Sequence, residues 1–245
     1  MRKVILHYHL FKNAGTSLDA AFKENFSEEK GEWVTKEFPN QPAANREQVR
    51  QWILDNPQAK CFSSHTMQFP VPEIEGVSIF PVIFFRHPID RIASAYSFER
   101  KQDSNSFGAT LAKNTDLAGY VKVRLSLQQD RQCKNFHTFN LLKKPCIATS
   151  EVEQARTTLN SMPFCGLVEK YDQSIKLLNT LLVEFGLDKV NLISKRHNVS
   201  RKVNKNLKEK LSQLEENLGS NLYNELIEAN QDDLSLYSDI SKRFE

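Results

Sequence analysis

Glycine is scarce, with 8 in 245 residues. That scarcity excludes a collagen-like or low-complexity chain, and the sequence carries no internal repeat. An excess of one charge sign is also missing. Lys plus Arg number 33 and Asp plus Glu 30, a net charge of +3 with His neutral. So even a balance does not call for nucleic acid as a partner, although a local basic patch can still form. No run approaches the roughly 18 apolar residues of a membrane span. The apolar stretch behind Arg2 and Lys3 is too short and too His-rich for a signal peptide. Cysteines at 61, 133, 146 and 165 include no CxxC pair. A thiolate zinc site is therefore not expected, and a reduced, cytoplasmic setting is. What is present is ordinary globular composition, 40% hydrophobic and 26% charged. The length allows one large core or two small ones, and no linker divides the chain. Residues 1–245 are expected to fold as a single domain, and nothing fixes an oligomeric state.

Short apolar runs alternate with longer amphipathic stretches, the pattern of an α/β fold with a mainly parallel central sheet flanked by helices. Strands are expected at Val4–Tyr8, Lys60–Ser63, Ile79–Phe85, Phe164–Val168 and Val190–Ile193. The run from Ile79 to Phe85 is nearly all apolar, as in a central strand covered on both faces. Pro81 is expected near its start, where a missing donor does least harm. Leu18, Ala21, Phe22 and Phe26 mark one face of a helix beginning near Thr16. Ile175, Leu178, Leu182 and Phe185 mark another that stops at Gly186. Leu207, Leu211, Leu214 and Leu218 form a third stripe ending at Gly219, and Leu236, Ile240 and Phe244 a fourth. Residues 101–135 are polar, with weak helical periodicity only after Thr115, so their first part is expected to be a loop or lid.

The segment Lys12-Asn13-Ala14-Gly15-Thr16-Ser17 joins the first strand to the first helix. The opening N–H groups of a helix lack intrahelical partners, and the macrodipole favours an anion there. Gly15 allows close backbone approach, Thr16 and Ser17 offer hydroxyls, and Lys12 a mobile charge. This is not GxxxxGK[ST]: the first Gly is missing and the Lys precedes the second, so one phosphate suits the loop better than three. The simpler alternative is a capped helix with an incidental Lys.

Arg86-His87-Pro88-Ile89-Asp90 repeats the arrangement after another strand. Ligands of open parallel sheets bind at the strands' carboxyl ends. Arg86 stands there with a planar fork suited to phosphate, and Ser94 follows about two helical turns on. Alternatively, Arg86 pairs with Asp90 and only closes the turn. Two separate phosphate sites suggest a nucleotide phosphorylated at both ends.

The two segments, read as Lys12–Ser17 with Arg86-His87-Pro88-x-x-Arg91-x-x-Ser94-x-Tyr96, resemble the 3′-phosphoadenylyl sulfate (PAPS) dependent sulfotransferases. The likeness is nearest the heparan sulfate 2-O- and 6-O-sulfotransferase branch and its bacterial relatives. Cys165-Gly166-Leu167-Val168-Glu169-Lys170-Tyr171-Asp172 and the tail from Ala229 to Tyr237 extend it along nearly the whole chain. One departure is His9-Leu10-Phe11-Lys12 where that family usually reads His-Ile-Pro-Lys.

The resemblance implies a lone catalytic domain of three-layer, P-loop-like fold. It places the 5′-phosphosulfate on residues 12–17 and the 3′-phosphate on Arg86 and Ser94, with adenosine 3′,5′-bisphosphate as product. Lys12 would neutralise charge on the leaving phosphate, and no metal would be needed. It maps the general base onto His65, at the end of Phe62-Ser63-Ser64, with Glu169 in reserve. Arg201 or Lys202, within a basic cluster from Lys195 to Lys210, would touch phosphate. The acceptor would be a hydroxyl of a carbohydrate or glycoconjugate. Two other readings remain at this stage. A nucleotide kinase-like phosphotransferase would need a triphosphate loop and a Mg²⁺-binding acid, and the sequence shows neither clearly. The other is a non-catalytic anion- or glycan-binding module on the same scaffold. His7 and His9 share a strand face as a metal pair would, but no third ligand follows at a sensible spacing, so packing is expected. His87 is expected to pack in its turn.

Overall fold

The computed structural model describes residues 1–142, 149–194 and 206–245. Its centre is a five-stranded parallel sheet in the order β2-β3-β1-β4-β5. The strands are β1 (Arg2–Tyr8), β2 (Trp33–Thr35), β3 (Cys61–Ser64), β4 (Val77–Phe85) and β5 (Gly166–Leu167). β1 lies in the middle, with Leu6 opposite both Phe62 of β3 and Pro81 of β4.

Side-chain alternation along β1 sends Val4, Leu6 and Tyr8 to one face and Ile5 and His7 to the other. Each face is closed by helices. On the Ile5 side, α1 (Gly15–Lys23) and α8 (Tyr171–Glu184) contribute Leu18, Phe22, Ile175 and Leu178. On the other, α2 (Pro42–Asp55), α7 (Glu151–Asn160) and α11 (Gln231–Ser241) contribute Trp52, Ile53, Leu159, Leu236 and Ile240. A third cluster belongs to helices alone. It joins α3 (Pro88–Lys101), α4 (Phe107–Asn114), α5 (Leu117–Ser126), α9 (Leu207–Leu218) and α10 (Ser220–Glu228) through Ile92, Tyr120, Leu214 and Leu222. A short α6 (Phe136–Asn140) precedes α7.

Three expectations are corrected. Residues 107–114 are helical, so the first part of the polar segment is not an open loop or lid, while α5 at 117–126 agrees with the helical periodicity after Thr115. Ser106 accepts from Ala109 N and Asp116 from Gly119 N, capping the two helices. Val190–Ile193 is not a strand. Val190 and Leu192 are buried, but side-chain amides satisfy the backbone in place of a neighbouring strand. Asn179 exchanges hydrogen bonds of 2.8 and 2.9 Å with Leu192, and Asn25 does the same for Asn191. Pro81 lies in the middle of β4. It is tolerated because β5 pairs only with Phe84 and Phe85, leaving that side of β4 without a strand at residue 81 among the described residues. The expected stop at Gly186 is present, at φ 86°.

Candidate functional site

The carboxyl ends of β1, β3 and β4 carry Lys12, His65 and Arg86 respectively. Adjacent parallel strands thus bring the three sequence-predicted segments to one end of the sheet.

The turn after β1 takes an unusual path. Lys12 and Ala14 have φ of 63° and 64°, left-handed backbone that costs a non-glycine residue energy. Ala14 is the N-cap of α1, and no side chain caps that helix. Thr16 and Ser17 lie inside the first turn, so they are not the caps the simpler alternative required. Ala14 offers the helix start no side-chain acceptor, which suits an anion. Asn13 is buried. Its Nδ2 donates to Phe11 O at 3.0 Å, and its Oδ1 lies 2.9 Å from His137 Nε2.

Gly15 works differently from expectation. A Cβ there would lie 1.9 Å from His9 Cδ2, so the missing side chain makes room for the His9 ring. Lys12 Nζ sits 4.4 Å from the centre of the Phe98 ring. Burial lowers the Lys12 pKa, and the nearby charge of Arg86 lowers it further, so the two cations share one locality.

Arg86 donates through Nε (2.7 Å) and Nη2 (2.6 Å) to Asp90 Oδ2. This is the turn-closing pair that the alternative reading describes. Lys210 of α9 approaches the same oxygen at 3.9 Å. Ser94 is half-buried on α3. Arg91 is fully buried, with its guanidinium donating to Gln132 and 4.0 Å from the centre of the Phe136 ring. Arg201 and Lys202 lie outside the described residues.

His65 is exposed, and its ring centre lies 3.8 Å from that of His9. Its backbone N donates to Glu37 Oε1 at 3.3 Å. The ring face against His9 is shielded from water although the residue as a whole is exposed; that desolvation, and then the like charge of His9, lower its pKa, against the opposing pull of Glu37 and Asp19. An imidazole so placed is neutral and ready to accept a proton near pH 7. Glu169 belongs to a different locality. It follows β5, three strand positions from β3, or ~14 Å at the usual strand spacing. Its Oε1 accepts from His87 N at 2.9 Å, and burial raises its pKa. His87 packs edge-on against Tyr237, and burial pushes its pKa down to about 4.

Two polar clusters escaped the sequence reading. In the first, Asp19 Oδ1 accepts from His7 Nδ1 and Ser63 Oγ, both at 2.7 Å, and Asp19 Oδ2 from His9 Nδ1 at 2.8 Å. Asp19 is thus the third partner that strand spacing did not show. Among the described residues, His7, His9 and Asp19 alone group metal-type donors, within 4.8 Å of one another. The separations from Asp19, 2.7–2.8 Å, are hydrogen-bond distances, and the three groups satisfy one another as a network. Burial alone would raise the Asp19 pKa, yet the charges and hydrogen bonds of His7 and His9 bring it well below the usual carboxylate range. A signal was available: Asp19 is one helical turn beyond Gly15 and borders the apolar stripe of α1. In the second cluster, Asp233 accepts from the backbone N of His137 and Thr138 at 2.8 and 2.7 Å. His137 Nδ1 lies 3.1 Å from Asp233 Oδ2, and its other nitrogen meets Asn13. This cluster ties the turn after β1 to α6 and α11.

Comparison with known proteins gives two findings. A model of the sulfotransferase family matches residues 1–238. The chain is also similar to an uncharacterized protein of Archaeoglobus fulgidus, 37% identical over 254 residues, covering 98% of this chain and 96% of that one.

Proposed function

Because this chain belongs to the sulfotransferase family, we propose that it moves a sulfuryl group from PAPS to a hydroxyl of a carbohydrate or glycoconjugate. The supporting observation is the convergence of Lys12, the uncapped start of α1 and His65 at the ends of adjacent strands. In this reading His65 takes the proton from the acceptor hydroxyl as its oxygen bonds to sulfur. The bond from sulfur to the bridging phosphate oxygen breaks, and adenosine 3′,5′-bisphosphate leaves. Lys12 and the α1 N-terminus neutralise the charge on that oxygen. Transfer then depends on positioning and charge stabilisation.

Residues 12–17 are assigned to the 5′-phosphosulfate and Arg86 with Ser94 to the 3′-phosphate. Phosphate would compete with Asp90 for the Arg86 fork, with Lys210 close by to offset the carboxylate. Residues 1–245 are read as one catalytic domain, supported by the packing of α11 against both the sheet and α7. A cytoplasmic setting fits the free thiols of Cys61, Cys133 and Cys165. No described helix is long and apolar enough to cross a membrane.

The test is a thermal-shift titration with adenosine 3′,5′-bisphosphate beside AMP and Mg·ATP, followed by turnover of PAPS with sugar acceptors. A ligand at a hundred times its Kd stabilises the native state by about 2.7 kcal/mol. Selective stabilisation by the bisphosphate is expected. Stabilisation by Mg·ATP alone would favour phosphotransfer, and silence with all three a binding module.

A further inference from the structure

His9 occupies a position that neither its chemistry as a strand-end residue nor simple packing explains. One edge of its ring fills the space left by the absent Cβ of Gly15, with Cδ2 and Nε2 1.9 and 2.2 Å from where that atom would stand. The ring also lies against His65 at a centroid separation of 3.8 Å, tilted by 43°. Its Nδ1 is held by Asp19 Oδ2 at 2.8 Å. The ring therefore bridges the anion turn and the candidate base, and one carboxylate fixes its rotation. That carboxylate is itself held by His7 and Ser63, so it cannot swing away.

A carboxylate only accepts hydrogen bonds, so this arrangement selects the Nδ1–H tautomer of His9. Burial lowers the His9 pKa, with the Asp19 hydrogen bond opposing, so the ring is neutral near pH 7. Face contact between tilted rings gives no line for a proton to pass from His65 to His9. What His9 can do is set the direction of the His65 ring. The latter also hydrogen-bonds the His9 main chain.

We propose that Asp19 and His9 form a positioning dyad, in which Asp19 locks the His9 ring and that ring sets the orientation of His65 relative to the turn at Gly15. The inference deepens the proposed function and rests on His65 being its base. Groups facing His65 are His9, Asp19 and Glu37, and those facing His9 are His7, Asp19 and Glu37. Asp19 then has a second effect. Its negative charge favours the imidazolium that forms on His65 during transfer.

The experiment combines Asp19→Asn with NMR titration of the histidine ring protons in the whole chain. In the variant the His65 midpoint moves to lower pH, because a charge favouring its protonated form is gone. Turnover falls about 100-fold, the cost of misplacing a reacting group. The thermal shift with adenosine 3′,5′-bisphosphate stays as in the parent. An unmoved His65 midpoint together with unchanged turnover in the folded variant overturns the dyad. Should Asp19→Asn fail to fold, the parent protein decides. Its His9 ring-nitrogen shifts must report a proton on Nδ1 throughout the His65 titration, and any other tautomer overturns the inference. Failure of the base reading looks different: His65→Ala would then keep full turnover, whatever Asp19→Asn does to the His65 midpoint.

Discussion

Gly15 has ordinary backbone angles, so its value lies in the side chain it lacks. Gly15→Ala would place Cβ 1.9 Å from His9 Cδ2, and His9 cannot retreat without leaving Asp19. Overpacking of this kind costs about 1–3 kcal/mol. Urea unfolding should show that loss, and turnover should fall with it as His65 loses its neighbour. An unchanged midpoint with full turnover would mean that the ring has somewhere else to go. Lys12 is tested separately, since its ammonium can be removed without crowding anything. Lys12→Ala should cut turnover strongly and nucleotide affinity only modestly, because its charge matters most as the leaving phosphate gains negative charge. Equal losses in both would make Lys12 a binding residue. Arg86→Ala has the opposite signature, weaker binding of the bisphosphate. Unchanged affinity would leave Arg86 as the partner of Asp90 alone.

Elements whose ends are fixed by distant side chains are the ones that sequence patterning misreads. Val190–Ile193 has the β-branched, apolar character of a strand, yet Asn25 and Asn179 occupy its hydrogen-bonding groups. Asn179→Ala removes two hydrogen bonds to Leu192, whose side chain is buried. At about 1 kcal/mol each, the loss should approach ~2 kcal/mol in a urea titration. A change within a few tenths would show that water replaces the amide. The reverse error occurred at α4, whose buried face is made of Gly108, Ala109 and Ala112, residues too small to give a strong apolar stripe, and whose start is set by the Ser106 cap. The turn proposed to hold the anion was legible as a turn because strand, turn and helix are contiguous between Arg2 and Lys23. The bonds from His137 to Asn13 and to Asp233 were not, since their partners are far apart in sequence and share no period.

Across the whole molecule, the α/β class and the parallel sheet followed from the alternation of apolar runs with amphipathic stretches. The packing of His7, His9 and His87 was also expected, but the partners of the histidines were not, and the histidines govern how the fold responds to acid. Burial lowers the pKa of His9, His65, His87 and His137, most measurably that of His87, which is pushed down to about 4. An unfolded histidine takes up its proton near pH ~6.5, while folded His87 waits until about pH 4. Between those values the unfolded chain binds more protons, so stability falls as pH falls and levels off below the folded pKa. For His87 alone the full loss is on the order of 3 kcal/mol. Asp19 and Asp233 act in a lower window. Burial would raise both, but their histidine partners depress them, so their contribution is lost only below the ordinary carboxylate range near pH ~4. His87→Phe keeps a ring against Tyr237 and removes the titrating group. Its melting temperature should drop less than the parent's between pH 7 and pH 4.5. Parallel curves for the two proteins would place the acid sensitivity on the other histidines, with buried His9 and His137 first.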